Sequence, residues 1–235
     1  MPPKGHATLS ASSSDRWLHC PPSARLCETY EDKGSDYAAE GTNAHEFCEY
    51  KLKKALGMDA SDPTENLTWY NEEMEDCANG YAAYILEMVE AAKESCADPK
   101  VLLEQRVDFS RWVEQGFGTA DCIIIADSTL RICDYKHGLG VLVDATANPQ
   151  MKCYALGALE LFDDIYDIDN VSMTIYQPIL VVVLLAIWLL FSVVFLITAI
   201  QNLINDHKRE IREQESAKRD LEYHEARMKV YEKTN

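Results

Sequence analysis

Residues 179–200 read ILVVVLLAIWLLFSVVFLITAI, 22 positions without a charge, and no other stretch restricts the architecture so much. As a helix this run is about 33 Å long at about 1.5 Å per residue, enough to cross the hydrocarbon core of a bilayer. Its two polar residues, Ser192 and Thr198, can return their hydroxyls to the carbonyls of their own helix. Core helices of soluble proteins are usually shorter and less uniformly apolar, so 179–200 is expected to span a membrane. The following residues, 201–235, contain no Pro or Gly and carry 8 basic and 8 acidic side chains. Pairs such as Glu215–Arg219 and Glu225–Lys229 suit an exposed helix. Ile204, Ile211, Leu221 and Met228 form a broken heptad that allows, without requiring, a helical partner.

The run divides the chain into three expected parts: a folded domain over 1–178, the span at 179–200 and a charged helical tail over 201–235. The whole chain has 22 Lys+Arg against 39 Asp+Glu, a net charge of −17. With the apolar run uncharged and the tail balanced, all of that excess lies in 1–178. A broadly basic nucleic-acid coat is therefore excluded, and any contact with phosphate must come from a local basic or metal-bearing site. The N-terminus shows no apolar signal-peptide core, and the eight cysteines contain no C-x-x-C pair, so reduced thiols in a cytoplasmic domain are expected. Orientation stays open. Lys208, Arg209 and Arg212 follow the span closely and favour a cytoplasmic tail, which would require translocation of the larger front domain.

Within 1–178 the periodicities predict an α/β domain. A short helix around Trp17–Cys20 is expected to stop at Pro21-Pro22. Helices are expected over 38–56, ended by Gly57, and over 70–96. The period then shortens, and 101–109, 118–126 and 129–136 read as strands, the last two joined tightly at Asp127-Ser128. Asn148-Pro149 forms an N-cap and first-turn pair that opens a helix to about Phe162, and 171–176 is a last strand.

Strand 129–136 contains Asp134-Tyr135-Lys136, where alternation puts Asp134 and Lys136 on one face. Antiparallel pairing across the tight turn would bring Asp121 beside Asp134. Two carboxylates and an ammonium can serve metal-assisted phosphodiester hydrolysis, although D-x-K alone is more often a surface ion pair. Glu104 on the first strand is a further carboxylate for the same site. His45 and Glu49 share one stripe of the helix 38–56, and Gln150 and Tyr154 share one of the helix after Pro149. An imidazole among the ligands favours Mn²⁺ over Mg²⁺.

Taken in order, these residues resemble the RecB-like nucleases of the PD-(D/E)XK superfamily, especially small phage- or prophage-encoded members. Ser10-x-Ser12 with Trp17, Cys20 and Pro21 is similar to the family's N-terminal S-x-S…C-P motif. Gly41-Thr42-Asn43-Ala44-His45 resembles its G-T-x-x-H helix, Gly118-Thr119-Ala120-Asp121 its G-x-x-D motif, and Asp134-Tyr135-Lys136-His137-Gly138 its D-x-K-x-G core. Gln150-x-x-x-Tyr154 matches the Q-x-x-x-Y signature of that branch. The resemblance runs from about Leu9 to Gln177. It implies a restriction-endonuclease-like core of helix, three-stranded antiparallel meander, helix and strand, acting as a metal-dependent nuclease on single- or double-stranded DNA without sequence preference.

By the same resemblance, His45, Asp121, Asp134 and the Tyr135 carbonyl would hold Mg²⁺ or Mn²⁺. Asp121, Asp134, Lys136, Glu104, Gln150 and Tyr154 would form the catalytic set, with Lys136 positioning water. Some relatives bind an iron–sulfur cluster through one early cysteine and three after the Q-x-x-x-Y helix. Cys20 could match the first, but no cysteine follows Cys153, so no cluster is expected and the cysteines read as packing residues. Beyond Gln177 the chain departs abruptly from such relatives. Two other readings stand beside the nuclease: a catalytically weak nuclease-like module for DNA binding or assembly, and a membrane protein whose C-terminal helix is the working part.

Overall fold

The computed structural model describes residues 7–30, 34–138 and 142–234, of which 179–184, 220 and 222–234 are described by backbone alone. The chain divides into two compact units, Met1–Val181 and Val182–Asn235. The first is a mixed α/β domain containing one four-stranded sheet. A 3-10 turn at Ala11–Ser13 leads into α1 (Ser14–His19) and α2 (Pro22–Glu28). As expected, α1 stops before the double proline; a second helix, α2, not anticipated from the sequence, begins within it. Pro22 stands in the first turn, where its missing N–H has no intrahelical partner to lose and its fixed φ suits the helix.

Helices α3 (Asp36–Ala55) and α4 (Glu72–Lys93) each start on a side-chain cap. Ser35 accepts from the Ala38 N–H and Asn71 from the Met74 N–H, which satisfies a donor left open by the first helical turn. Gly57 follows α3 at φ +73°, a left-handed value that glycine adopts without a Cβ clash. Strands β1 (Lys100–Asp108), β2 (Phe117–Ala126) and β3 (Thr129–Tyr135) form an antiparallel meander. The hairpin between β2 and β3 turns on Asp127 and Ser128, both at positive φ, as a two-residue primed turn requires. Helix α5 (Pro149–Tyr166) carries the expected cap, with Asn148 accepting from the Met151 N–H, and then β4 (Asn170–Tyr176) pairs parallel to β3. The sheet order is β1-β2-β3-β4.

Two apolar layers enclose the sheet. On one face Phe47, Leu52, Met74, Tyr81 and Ile85 of α3 and α4 pack with Cys122, Ile124, Cys133 and Tyr135. On the other, Met151, Tyr154 and Ala158 of α5, with Ala11 and Trp17, pack on Val107, Ile123, Leu130 and Ile132. Burial on both faces explains why β2 and β3 read as nearly continuous apolar runs. The cysteines are all free thiols; Cys48, Cys77, Cys122, Cys133 and Cys153 are buried, but Cys20 and Cys27 are exposed, which corrects the reading of all eight as packing residues.

The apolar run and the charged tail, both expected to be helical, are one continuous helix, α6 (Pro178–Thr234). The stretch Leu185–Arg219 is long and apolar enough to cross a membrane, and its apolar part is not buried against protein. Trp188, Phe191 and Phe195 are exposed. Ser192 and Thr198 donate to the carbonyls of Trp188 and Val194, both at 2.9 Å, so neither hydroxyl is unsatisfied.

Candidate metal centre

The β2–β3 register runs from Ala126↔Thr129 to Cys122↔Cys133, which leaves Asp121 opposite Asp134. Asp121 receives the Tyr135 N–H on its Oδ2 at 2.6 Å and presents Oδ1 to His45 Nδ1 of α3 at 3.3 Å. Glu104 lies across from Asp121 on β1, between the pairs Leu103↔Cys122 and Gln105↔Ala120. One ligand atom from each of His45, Glu104 and Asp121 falls within 4.8 Å of the others, so the three form a candidate metal-binding group. Two hard carboxylates and an imidazole are a donor set that divalent Mn²⁺ accepts well.

The electrostatics match a site short of positive charge. Burial, reinforced by Asp121, pushes Glu104 up to about 7. Burial pulls His45 down, but the hydrogen bond and charge of Asp121, with Asp134 and Glu104 behind it, outweigh this and leave His45 raised. Glu104 also has φ +47°, which is left-handed backbone inside a strand and uncommon for a side chain of this kind. Strain held at one carboxylate of a three-ligand group is a mark of a functional position.

Asp134 was expected among the metal ligands, but it lies outside the three-residue group. On β3 it shares a face with Leu130 and Ile132, toward α5, whereas Tyr135 faces α3 and α4. Its carboxylate, 1% exposed, meets Lys136 Nζ at 2.7 Å through Oδ2 and receives Gln150 Nε2 at 3.1 Å through Oδ1. Gln150 Oε1 accepts from Lys136 Nζ at 3.1 Å, and Gln150 Nε2 also lies 2.9 Å from the Tyr154 hydroxyl. Lys136, Asp134, Gln150 and Tyr154 thus form one hydrogen-bonded chain beside the ligand group, linked to it through the Tyr135 N–H. The Tyr135 backbone meets the site by this N–H. Burial and the Asp121 charge raise the Asp134 carboxyl, and Lys136 opposes them.

Glu49, which shares the stripe of His45, is taken by Lys53 one turn on, at 2.5 Å, and is not in the ligand group. A contact not anticipated from the sequence is that of the Tyr135 hydroxyl with His137 Nδ1 at 2.9 Å, while His137 Nε2 lies 3.8 Å from Glu40. Glu40 and His137 lie on α3 and beyond β3, far apart in sequence, and no local spacing signals their approach.

With this geometry in view, a family model described as a protein of unknown function, DUF2800, matches residues 6–184. The chain belongs to the DUF2800 family. The match covers His45, Glu104, Asp121, Asp134, Lys136, Gln150 and Tyr154, so both the ligand group and the Lys136 chain fall within the DUF2800 region. It ends before Leu185. No solved structure matches the chain.

Proposed function

We propose that this domain is a metal-dependent nuclease that hydrolyses DNA phosphodiester bonds, built on a RecB-like, restriction-endonuclease-type core. The observation carrying this reading is the junction of two assemblies at Asp121 and Tyr135: a three-ligand group and a lysine held by a buried carboxylate and an amide. The ligand group fits a divalent cation because two carboxylates and one imidazole converge within 4.8 Å. When bound, Mn²⁺ or Mg²⁺ would polarise a phosphate oxygen and acidify nearby water. His45, Glu104 and Asp121 would hold the ion in this scheme, and Asp134 keeps Lys136 pointed. Lys136 orients the attacking water and offsets charge developing on the phosphate. Gln150 locks the Lys136–Asp134 pair, and Tyr154 locks Gln150.

Net charge opposes a large DNA footprint, so affinity in this reading comes from the ion and from few local cations. The test is cleavage of linear single- and double-stranded DNA by the full chain in mild detergent, with Mn²⁺, Mg²⁺ or EDTA. Cutting that needs metal and disappears in both Asp121→Ala and Lys136→Ala is the expected result. Retention of DNA without cutting would leave a nuclease-like binding or assembly module of phage or prophage type. Cutting by Lys136→Ala at the parental rate would remove that residue from the mechanism.

The exposed apolar length of α6 supports a second component of the proposal, that the domain works while anchored to a membrane. Flotation of the full chain with lipid vesicles, resistant to high salt, is the expected behaviour. Recovery of the chain as a soluble species without detergent would refute anchoring.

A further inference from the structure

Beside the Lys136 chain an open cleft of about 420 Å³ is lined by Ser10, Ser12, Arg106, Phe117, Gly118, Thr119 and Tyr154, with Ala7 at its margin. Its floor is tight. A Cβ on Gly118 would come within 2.8 Å of the Tyr154 ring and 2.9 Å of the Ala11 methyl, so only glycine lets these three groups close under the cleft. Arg106 and Thr119 are cross-strand partners on β1 and β2 and face the cleft together. The Arg106 guanidinium lies over the Phe117 ring at 3.7 Å from its centroid. That stacking fixes the plane of the fork while leaving its edge N–H donors available. Among the described residues no carboxylate forms an ion pair with Arg106, and the Thr119 hydroxyl has no protein partner. Asp108 feels the Arg106 charge, but its Oδ1 is occupied by the Ser110 N–H at 2.8 Å.

The serines add built donors. Ser10 is nearly buried; its carbonyl accepts from Trp17 Nε1 at 2.9 Å, and its hydroxyl lies 3.2 Å from that of Ser12 and 2.9 Å from that of Ser13. Ser12 is exposed at the end of this relay. In a domain where acids outnumber bases heavily, a stacked, unpaired arginine ringed by hydroxyls is a local exception that selects an anion.

We infer that this cleft is a phosphate seat, in which Arg106, Thr119 and Ser12 hold a phosphate of the DNA strand being cut. The inference rests on the nuclease reading and adds to it the element that sets the strand relative to the metal group. Thr119 and Asp121 are two residues apart on β2, about 6.8 Å along an extended strand, which sets the seat beside the metal group. Tyr154 connects the two places, since it borders the cleft and its hydroxyl is bonded to Gln150. The seat takes either an internal backbone phosphate or a terminal one, both offering the same oxygens.

The test compares the full-length parent with Arg106→Gln, Arg106→Lys and Thr119→Val, each checked for an unchanged urea midpoint. Binding is read by anisotropy of an internally labelled single strand in EDTA, and cutting by steady-state kinetics in Mn²⁺. Arg106→Gln is expected to weaken binding about 10-fold, to raise KM with little change in kcat, and to flatten the salt dependence by about 0.7 in log–log slope. Arg106→Lys keeps the slope but loses part of the affinity, because an ammonium cannot stack or fork. Thr119→Val gives a smaller KM effect and covers the event that Arg106→Gln fails to fold. Substrates with a 5′-phosphate, a 5′-hydroxyl or a closed circular strand separate the sources. An Arg106 effect common to all three assigns an internal phosphate, and one confined to the first assigns a terminal phosphate. A parent that cuts, with Arg106→Gln unchanged in KM and slope, overturns the seat alone. A parent that neither binds nor cuts any of the three overturns the nuclease reading beneath it.

Discussion

Replacing Lys136 by Met in the metal-free protein tests whether the Lys136–Asp134 pair is as tightly held as its geometry implies. Asp134 is 1% exposed and Lys136 25%, with 2.7 Å between Nζ and Oδ2. Breaking one side of a buried pair typically costs about 3–5 kcal/mol, because the other charge is left without a partner. The lower end applies here, since the lysine is partly in water and Gln150 still donates to Oδ1. We expect a loss of about 3 kcal/mol at pH 8 in EDTA, measured by urea unfolding in mild detergent. Converting the partner as well, in Asp134→Asn/Lys136→Met, removes the orphaned charge and should restore about 2 kcal/mol of that loss.

The sign of the pH dependence follows from Asp134. Burial and Asp121 already raise its carboxyl above the ordinary range, and deleting Lys136 removes the group that opposes them. A carboxyl raised in the folded state stabilises fully below its unfolded value, and that contribution is lost as the pH climbs through the folded value. The variant therefore falls further below the parent as pH rises from 5 to 8, and the gap narrows on acidification as Asp134 takes up a proton. A gap of equal size at both pH values, or a variant within about 0.5 kcal/mol of the parent at pH 8, would refute the reasoning.

Three further outcomes are expected. Mn²⁺ at about 100 times its Kd should stabilise the protein by about 2.7 kcal/mol in a thermal scan, and His45→Ala should abolish that response. Glu104→Gly should relieve the positive φ and raise metal-free stability by about 1–2 kcal/mol while weakening Mn²⁺ binding; destabilisation instead would show that Glu104 is not strained. At pH 8 a thiol reagent should label Cys20 and Cys27 quickly and leave Cys122 unlabelled until unfolding, because burial pushes the Cys122 thiol up to about 12; rapid labelling of Cys122 would contradict the packed sheet.

Much of this arrangement is legible without coordinates because it depends on periodicity and pairing arithmetic. Once Asp127-Ser128 is taken as a two-residue turn, counting back along both strands sets Asp121 against Asp134. Helical spacing likewise unites Gln150 with Tyr154, and Asn148-Pro149 marks where α5 begins. What escaped was decided by tertiary context. Alternation puts Asp134 with Lys136 but cannot say that they turn to α5 while Asp121 turns to α3 and His45. Nor could the double proline show whether Pro22 ends one helix or opens the next, since its ring suits both boundaries. The continuity of α6 across residue 200 was hidden by a sharp change in composition, although Gln201 and its neighbours are good helix formers and nothing there interrupts the backbone.

The least legible feature is also the one that creates the site. Along β1, Val101 and Leu103 pack toward α3 and α4 and Leu102 toward α5, but beyond Glu104 the odd-numbered Val107 also packs toward α5. Strand β2 changes phase at the same place, with Cys122 and Ile124 on the α3–α4 face and Ala120 on the α5 face. Both strands exchange faces where Glu104 stands opposite Asp121, yet the pairing register is the same before and after. A bulge would have shifted the register; paired phase changes do not. The left-handed Glu104 lies at this crossover, so its strain has a geometric effect. It lets Glu104 and Asp121 meet His45 on the α3 side of the sheet. A regular hairpin of identical composition would turn Glu104 toward α5 with Leu102, away from His45 on α3. The crossover both places the carboxylate and strains its backbone, and for this reason Glu104→Gly is the substitution in which stability and binding should part company.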